Sequence, residues 1–224
     1  MSTTGVIVLA VLWPVVGLLS GLLMARRGYD PLWVLLALPL GPLFLPIALE
    51  RVRRRPGVVE FGATGAPPGR TDQAGGPRVL VGMDGSAQAD RALETVLALF
   101  GWRCGLLVLA QVVPYDATES TTGGGIDEAS RRLAEVADGV TIAGGVHTQV
   151  LTGPPGPALR TFAEEQDMDL LVVARRGSGR SARMLGSVST DLVEHSAVPV
   201  LVIEPKADGS EPDARARAAE LRAR

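Results

Sequence analysis

A parallel α/β sheet carried behind an apolar amino-terminal hairpin is the fold class this sequence predicts. Three observations carry that prediction. Residues 6–24 and 31–49 form two long apolar stretches, separated only by Ala25-Arg26-Arg27-Gly28-Tyr29-Asp30. From Arg78 onward, short runs of apolar and β-branched residues alternate with amphipathic helical patterns. The runs are unbroken, as strands buried on both faces require. Strands alternating with helices imply βαβ crossovers and a parallel sheet. The expected architecture is a five-stranded parallel, doubly wound sheet preceded by a two-helix transmembrane hairpin.

The first stretch, Val6 to Met24, carries no charge. A helix needs about 20 apolar residues to cross the hydrocarbon core. A cleaved signal peptide would need a basic start and a small-residue cleavage site. Met1-Ser2-Thr3-Thr4-Gly5 has no basic side chain, and Leu22-Leu23-Met24-Ala25-Arg26 is a poor cleavage site. The second stretch, Pro31 to Leu49, contains Pro39, Pro42 and Pro46, each without a backbone donor. Proline is tolerated in membrane helices where the freed carbonyls find partners. A kinked span is expected there, with a re-entrant segment as the alternative. Gly17 and Gly21 make a pair of small residues that would let a second helix approach closely. Arg51, Arg53, Arg54 and Arg55 outnumber Arg26 and Arg27 of the turn. The positive-inside rule then puts both ends of the hairpin in the cytoplasm. The expected location is the cell membrane, multi-pass, with the lipid bilayer as a partner and the following domain cytoplasmic.

Composition divides the chain further. Residues 1–55 hold six arginines against Asp30 and Glu50, a charge of +4, which leaves −6 for the rest of a chain whose total is −2. A mildly acidic domain is a poor neutraliser of phosphate backbones, so no nucleic-acid partner is expected. Cys104 is the only cysteine, which excludes an intrachain disulfide. Residues 56–77, with Pro56, Pro67, Pro68, Pro77 and six glycines, have little to bury and read as a flexible linker. Residues 206–224 read as a disordered tail, and residues 78–205 as one α/β domain of ordinary size.

Within that domain the elements follow in order. Val79 to Met83 is the first buried strand, and Asp84-Gly85-Ser86 closes it with a turn whose serine can cap a helix. Ala89, Ala92, Leu93, Val96, Leu97 and Phe100 recur at helical spacing. Leu106 to Val113 is a second strand, and Pro114 to Gly125 a polar loop. Ile126, Ala129, Leu133, Val136 and Ala137 mark a second helix. Val146 to Leu151 is a third strand and Pro157 to Gln166 a third helix. Leu170 to Ala174 is a fourth strand, Ser187 to Ser196 a fourth helix, and Val200 to Ile203 a fifth strand.

Parallel sheets bind ligands beyond the carboxyl ends of their strands, where the strand order switches. Two elements fall there. Asp84 ends the first strand. Ala174-Arg175-Arg176-Gly177-Ser178-Gly179-Arg180 ends the fourth and leads to Gly186-Ser187-Val188-Ser189 at a helix start. A helix amino terminus reached through glycines is an anion site, and Ser187 and Ser189 could add hydroxyl donors. Glycines at tight turns would look the same from these residues alone.

Taken together, these segments resemble the universal stress protein family. The resemblance spans Arg78 to Pro205. It rests on Val79-Leu80-Val81-Gly82-Met83-Asp84-Gly85-Ser86 at the start. At the other end it rests on Leu170 to Gly177, Leu185 to Ser189, and His195-Ser196-Ala197-Val198-Pro199-Val200-Leu201-Val202-Ile203. It implies strand order 3-2-1-4-5, a homodimer through the last strand, and a role in stress response. It also implies ATP as ligand in the branch whose motif is Gly-x2-Gly-x9-Gly-Ser/Thr. The adenosine contacts would fall on Met83, Asp84 and Val112, and the phosphate contacts on Gly177, Gly186, Ser187, Val188 and Ser189. The sequence departs from the motif twice. Ala174 stands at the first glycine position, and eight residues rather than nine separate Gly177 from Gly186. A β-carbon or a shortened loop would crowd the backbone approach that glycine permits. Arg175, Arg176, Arg180 and Arg183 could compensate by pairing with phosphate oxygens.

Catalysis finds little support. His147 lies in a strand and His195 near a helix end, neither beside an evident nucleophile or metal-ligand set. Cys104 reads as a small core residue. Asp84 lacks the acidic cluster and strand-end lysine of a phosphoacceptor site. Three functions remain open: a membrane-anchored, dimeric adenine-nucleotide sensor or regulator; a dimeric interaction module that binds no nucleotide and engages an unknown protein partner; and a slow ATP hydrolase.

Overall fold

The computed structural model describes residues 3–26, 32–46, 56–70, 75–118, 124–175 and 186–204. Its strands are β1 (Gly57–Phe61), β2 (Arg78–Met83), β3 (Leu106–Val113), β4 (Val146–Thr152), β5 (Leu170–Ala174) and β6 (Val200–Ile203). Its helices are α1 (Thr3–Arg26), α2 (Leu32–Leu40), α3 (Ala87–Phe100), α4 (Gly124–Asp138), α5 (Pro155–Glu165) and α6 (Ser187–His195). The strands form one six-stranded sheet in the order β1-β4-β3-β2-β5-β6.

That sheet corrects the expected fold class in two ways. First, it is mixed and six-stranded rather than parallel and five-stranded. β2 to β6 run parallel, but β1 pairs antiparallel with β4, from Gly57 opposite Thr152 to Phe61 opposite Gln149, with a bulge between Val58 and Glu60. β1 comes from the Pro/Gly-rich stretch 56–77. Its own alternation is weak, and its order is supplied by the open edge of β4, which offers unpaired N–H and C=O groups. Second, no helix among the described residues is long and apolar enough to cross a membrane. The expected transmembrane hairpin is corrected accordingly. Its second arm shows the reason: α2 has nine residues, about 14 Å at 1.5 Å per residue, under half of a ~30 Å core. Pro39 and Pro42 strip donors from its end, and Gly41–Phe44 continue only as a 3₁₀ turn.

The two apolar helices still pack against each other. A β-carbon on Gly17 would collide with the Ala37 carbonyl oxygen, so the glycine permits the close approach its spacing suggested. Trp13 Nε1 donates to the Pro39 carbonyl at 3.0 Å. Met24, Ala37 and Phe44 are buried in one cluster with Tyr115, which follows β3.

Two layers of side chains hold the sheet. Successive residues of a strand point to opposite faces, and the sequence uses both faces. Val79, Val81, Leu107 and Leu109 meet Ala89, Leu93 and Val96 of α3 and Ala129 and Leu133 of α4. Leu80, Leu106 and Val108 meet Ala158, Leu159 and Phe162 of α5 and Leu192 of α6. Each of the fully buried aliphatic side chains contributes about 1.5–3 kcal/mol of burial. β2 lies inside the sheet, flanked by β3 and β5.

After β1 the chain crosses beneath the amino ends of the strands. Gly62 N–H donates to Thr148 O at 2.9 Å. Arg78, almost fully buried at the start of β2, donates through Nη1 to Pro68 O at 2.9 Å and through Nη2 to Gln166 O at 3.0 Å. Arg70 pairs with Asp169 at 2.6 Å, and the other Asp169 oxygen accepts from the Arg78 backbone N–H at 2.9 Å. Burial pulls the Arg78 guanidinium below its usual pKa, and the Arg70 charge adds to the effect. These contacts strap the segment before β2 to the end of the sheet opposite the candidate ligand site.

Candidate functional site

β2 and β5 are parallel neighbours, with Val79 opposite Leu170 and Val81 opposite Val172. The chain leaves β2 into α3, which packs on one face of the sheet, and leaves β5 toward α6, on the other. Their carboxyl ends therefore flank the switch point where open α/β sheets bind ligands.

Three helices with described starts begin at this end, and they differ in what they offer. α3 is capped from within. Ser86 Oγ accepts from Ala89 N–H, while Asp84 Oδ1 accepts from Ser86 N–H at 3.0 Å and from its hydroxyl. α5 starts in Pro154-Pro155-Gly156-Pro157, which removes most of its first donors. Its remaining gap is filled as well, since a β-carbon on Gly156 would strike the Asp191 carboxylate. α6 is different. Its N-cap is Gly186, with φ −64° and ψ 154° and no side-chain cap. Among the described residues, the N–H groups of its first turn thus lack the capping acceptor that α3 has, at the positive end of the helix dipole.

The expected site residues separate on this geometry. Met83 is buried at the end of β2 and Asp84 is exposed in the turn beyond it. Val112 is half-buried near the end of β3, packed toward the α5 and α6 side. Ala174 ends β5 and packs at the margin of the cluster beneath α3 and α4, so its methyl group has a place in the core. Gly177 lies outside the described residues, as do Arg176, Arg180 and Arg183. Arg175 forms an ion pair with Glu204 beyond β6, which commits it away from the phosphate role the sequence suggested.

Gly186, Ser187, Val188 and Ser189 do form the start of α6, but the two serines have different duties. Ser187 is exposed. Ser189 is buried, and its hydroxyl lies 2.9 Å from Arg175 O and 3.0 Å from Gly186 O as donor. Gly186 N–H donates to the same Arg175 carbonyl at 2.9 Å, and Arg175 N–H to Ile203 O at 2.7 Å. Arg175 and Gly186 are therefore joined by a hydrogen-bonded neck. The Ser189 side chain builds that neck and is not a free donor for a ligand.

A residue that sequence reasoning missed also lies here. Arg132 of α4 reaches the end of β2. A β-carbon on Gly85 would sit 3.0 Å from Arg132 Nη1 and 3.2 Å from its Cζ. Gly85 has φ +74°, a left-handed conformation that glycine adopts without strain. Helical spacing marks Arg132 only as a polar-face residue, so nothing local signals its reach.

The remaining candidates contact backbone carbonyls. Cys104 is buried, with Sγ 3.2 Å from Leu106 O, and burial pushes its thiol above the usual pKa. His195 Nδ1 lies 3.0 Å from Asp191 O in the last turn of α6. His147 Nδ1 lies 3.4 Å from Gly65 O. Among the described residues no group of three His, Cys, Asp or Glu side chains could hold a metal ion.

The universal stress protein family model matches residues 77–204, the whole sheet apart from β1. The chain belongs to the universal stress protein family. A universal stress protein of Mycobacterium tuberculosis is 30% identical over 135 residues, covering 58% of this chain and 49% of its own length. A second universal stress protein of the same organism is 30% identical over 138 residues, covering 56% of this chain and 94% of its own. The chain thus spans about half the length of the first of these relatives. The crystal structure of a hypothetical protein, PH0823, superposes with TM-score 0.51 at 27% identity, over 59% of this chain and 99% of that one.

Proposed function

We propose that this universal stress protein domain binds an adenine nucleotide across the carboxyl ends of β2, β3 and β5 and acts as a dimeric regulator in stress response. The uncapped start of α6 carries the proposal. It faces the switch point with a first turn of N–H donors, while α3 is capped by Ser86 and α5 is blocked by prolines and Asp191. A phosphate at that terminus would meet backbone donors and the dipole together. The exposed Ser187 hydroxyl could add a further hydrogen bond. The adenosine would lie over Met83 and Asp84 toward Val112. The reading is retention and sensing of nucleotide.

Dimerisation draws on the sheet edges. β1 covers the outer edge of β4, and β6 is the other outermost strand. Val200, Leu201 and Val202 are only half-buried there. An open edge invites pairing with another strand, and a second β6 is the partner that closes the assembly.

Mass spectrometry of small molecules released from the purified chain, followed by titration calorimetry with ATP, tests the nucleotide site. Retained or titratable adenine nucleotide is expected. A chain that carries none and binds none would leave the interaction-module reading in its place.

A further inference from the structure

We propose that Arg132 is a base-stacking residue of this site, a planar wall against which a purine ring lies. The inference rests on the nucleotide reading above and adds a residue from outside the loop and strand ends that carry it.

Arg132 extends from α4 to the mouth of the sheet and touches two elements there. Its guanidinium occupies the space beside Gly85, with Nη1 3.0 Å and Cζ 3.2 Å from where a β-carbon would stand, immediately after Asp84. Its Nη1 faces the Gln111 Oε1 at 3.4 Å, immediately before Val112. Its Nη2 donates to Glu128 Oε1 at 3.0 Å. The guanidinium therefore spans the gap between the ends of β2 and β3. Gly85 makes this possible, because any side chain there would occupy the space the guanidinium fills.

The tethers decide which part of the group is available. Both terminal nitrogens are engaged, and Glu128 supplies a compensating negative charge one helical turn away. A bidentate grip on phosphate needs that fork free. The side chain itself is 38% exposed. A fixed, weakly hydrated guanidinium plane is suited to stacking on an aromatic ring. Its contacts with Gly85 and Gln111, at the ends of β2 and β3, place that plane at the base end of the proposed ligand, away from the phosphate end at α6.

The test uses the full chain and titration calorimetry with ATP and with adenosine. Two variants, Arg132→Met and Arg132→Lys, are compared with the native protein, each checked for an unchanged far-ultraviolet spectrum. Methionine keeps an unbranched stem and removes the plane. Lysine keeps the charge and removes the plane. Both are expected to weaken ATP and adenosine binding by the same factor, about three- to tenfold. Equal affinities in native and Arg132→Met protein would overturn the inference and leave the nucleotide reading intact. So would a loss confined to ATP, which would assign the guanidinium to phosphate, or full rescue by lysine, which would show that charge suffices. A native chain that binds neither ATP nor adenosine would overturn the nucleotide reading and the inference together.

Discussion

Ser187 and Ser189 differ by two positions and look alike in sequence, yet their alanine variants should fail in opposite ways. The Ser189 hydroxyl is buried and its proton is spent on the Arg175 and Gly186 carbonyls at 2.9 and 3.0 Å. A typical intramolecular hydrogen bond contributes about 1 kcal/mol net. The Arg175 carbonyl keeps the Gly186 N–H after the substitution, so no orphaned acceptor adds to the cost. Alanine's better helix propensity returns about 0.5 kcal/mol. Ser189→Ala should therefore cost about 0.5–1 kcal/mol, lowering the melting temperature by about 2–5 °C for a domain of this size. Ser187 is exposed, and its replacement should leave stability within about 0.5 kcal/mol. A lost hydrogen bond to a charged phosphate oxygen is worth about 1.5 kcal/mol or more, so Ser187→Ala should weaken ATP binding by about tenfold. Urea denaturation and calorimetry on both variants measure the two effects. The reasoning is refuted if Ser189→Ala unfolds at the native midpoint, or if Ser187→Ala lowers stability while binding ATP unchanged.

Other consequences follow from the same geometry. Inserting one residue between Gly177 and Gly186 should tighten ATP binding, whereas Ala174→Gly alone should mainly destabilise β5, by about 1 kcal/mol, because the methyl belongs to the core; calorimetry and melting curves separate the two. Asp169 is pushed up by burial but held below the usual carboxylate range by the hydrogen bonds from Arg70 and the Arg78 N–H and by both guanidinium charges. Its contribution to stability should be complete above the unfolded carboxyl pKa of about 3.9 and vanish as pH falls through the lower folded value. Asp169→Asn should flatten that acid limb of a stability–pH profile. Val202→Asp should leave the chain folded and shift it from dimer to monomer in analytical ultracentrifugation; a folded variant that stays dimeric would exclude the β6 edge as the interface.

Much of the fold was legible because its signals are local. Unbroken apolar runs mark β2, β3 and β5, since a strand covered on both faces has no polar side to show. Ser86 marks the start of α3, since its cap needs only the three following residues. The helical spacing of Ala89, Ala92, Leu93 and Val96 names the face that the core later buries. The switch-point location of Asp84 and Gly186 also followed from strand–helix order alone.

Other features depended on partners distant in the chain. Gly57 to Phe61 is a short run inside a Pro/Gly-rich stretch and becomes β1 because β4 presents an open edge about ninety residues later. The second apolar stretch had the composition of a span, but its prolines end α2 after nine residues. Arg175 looked like a phosphate ligand until Glu204 claimed it. Ser187 and Ser189 parted only when the Arg175 carbonyl folded back onto α6. Arg132 reaches the end of β2 only because α4 packs where its side chain can lie across Gly85. Periodicity and caps are set by neighbours within one or two turns, so the sequence by itself determined them. Edge pairing, ion-pair partners and the faces that meet at the mouth of the sheet are set by contacts between remote segments, so only the tertiary structure decided those.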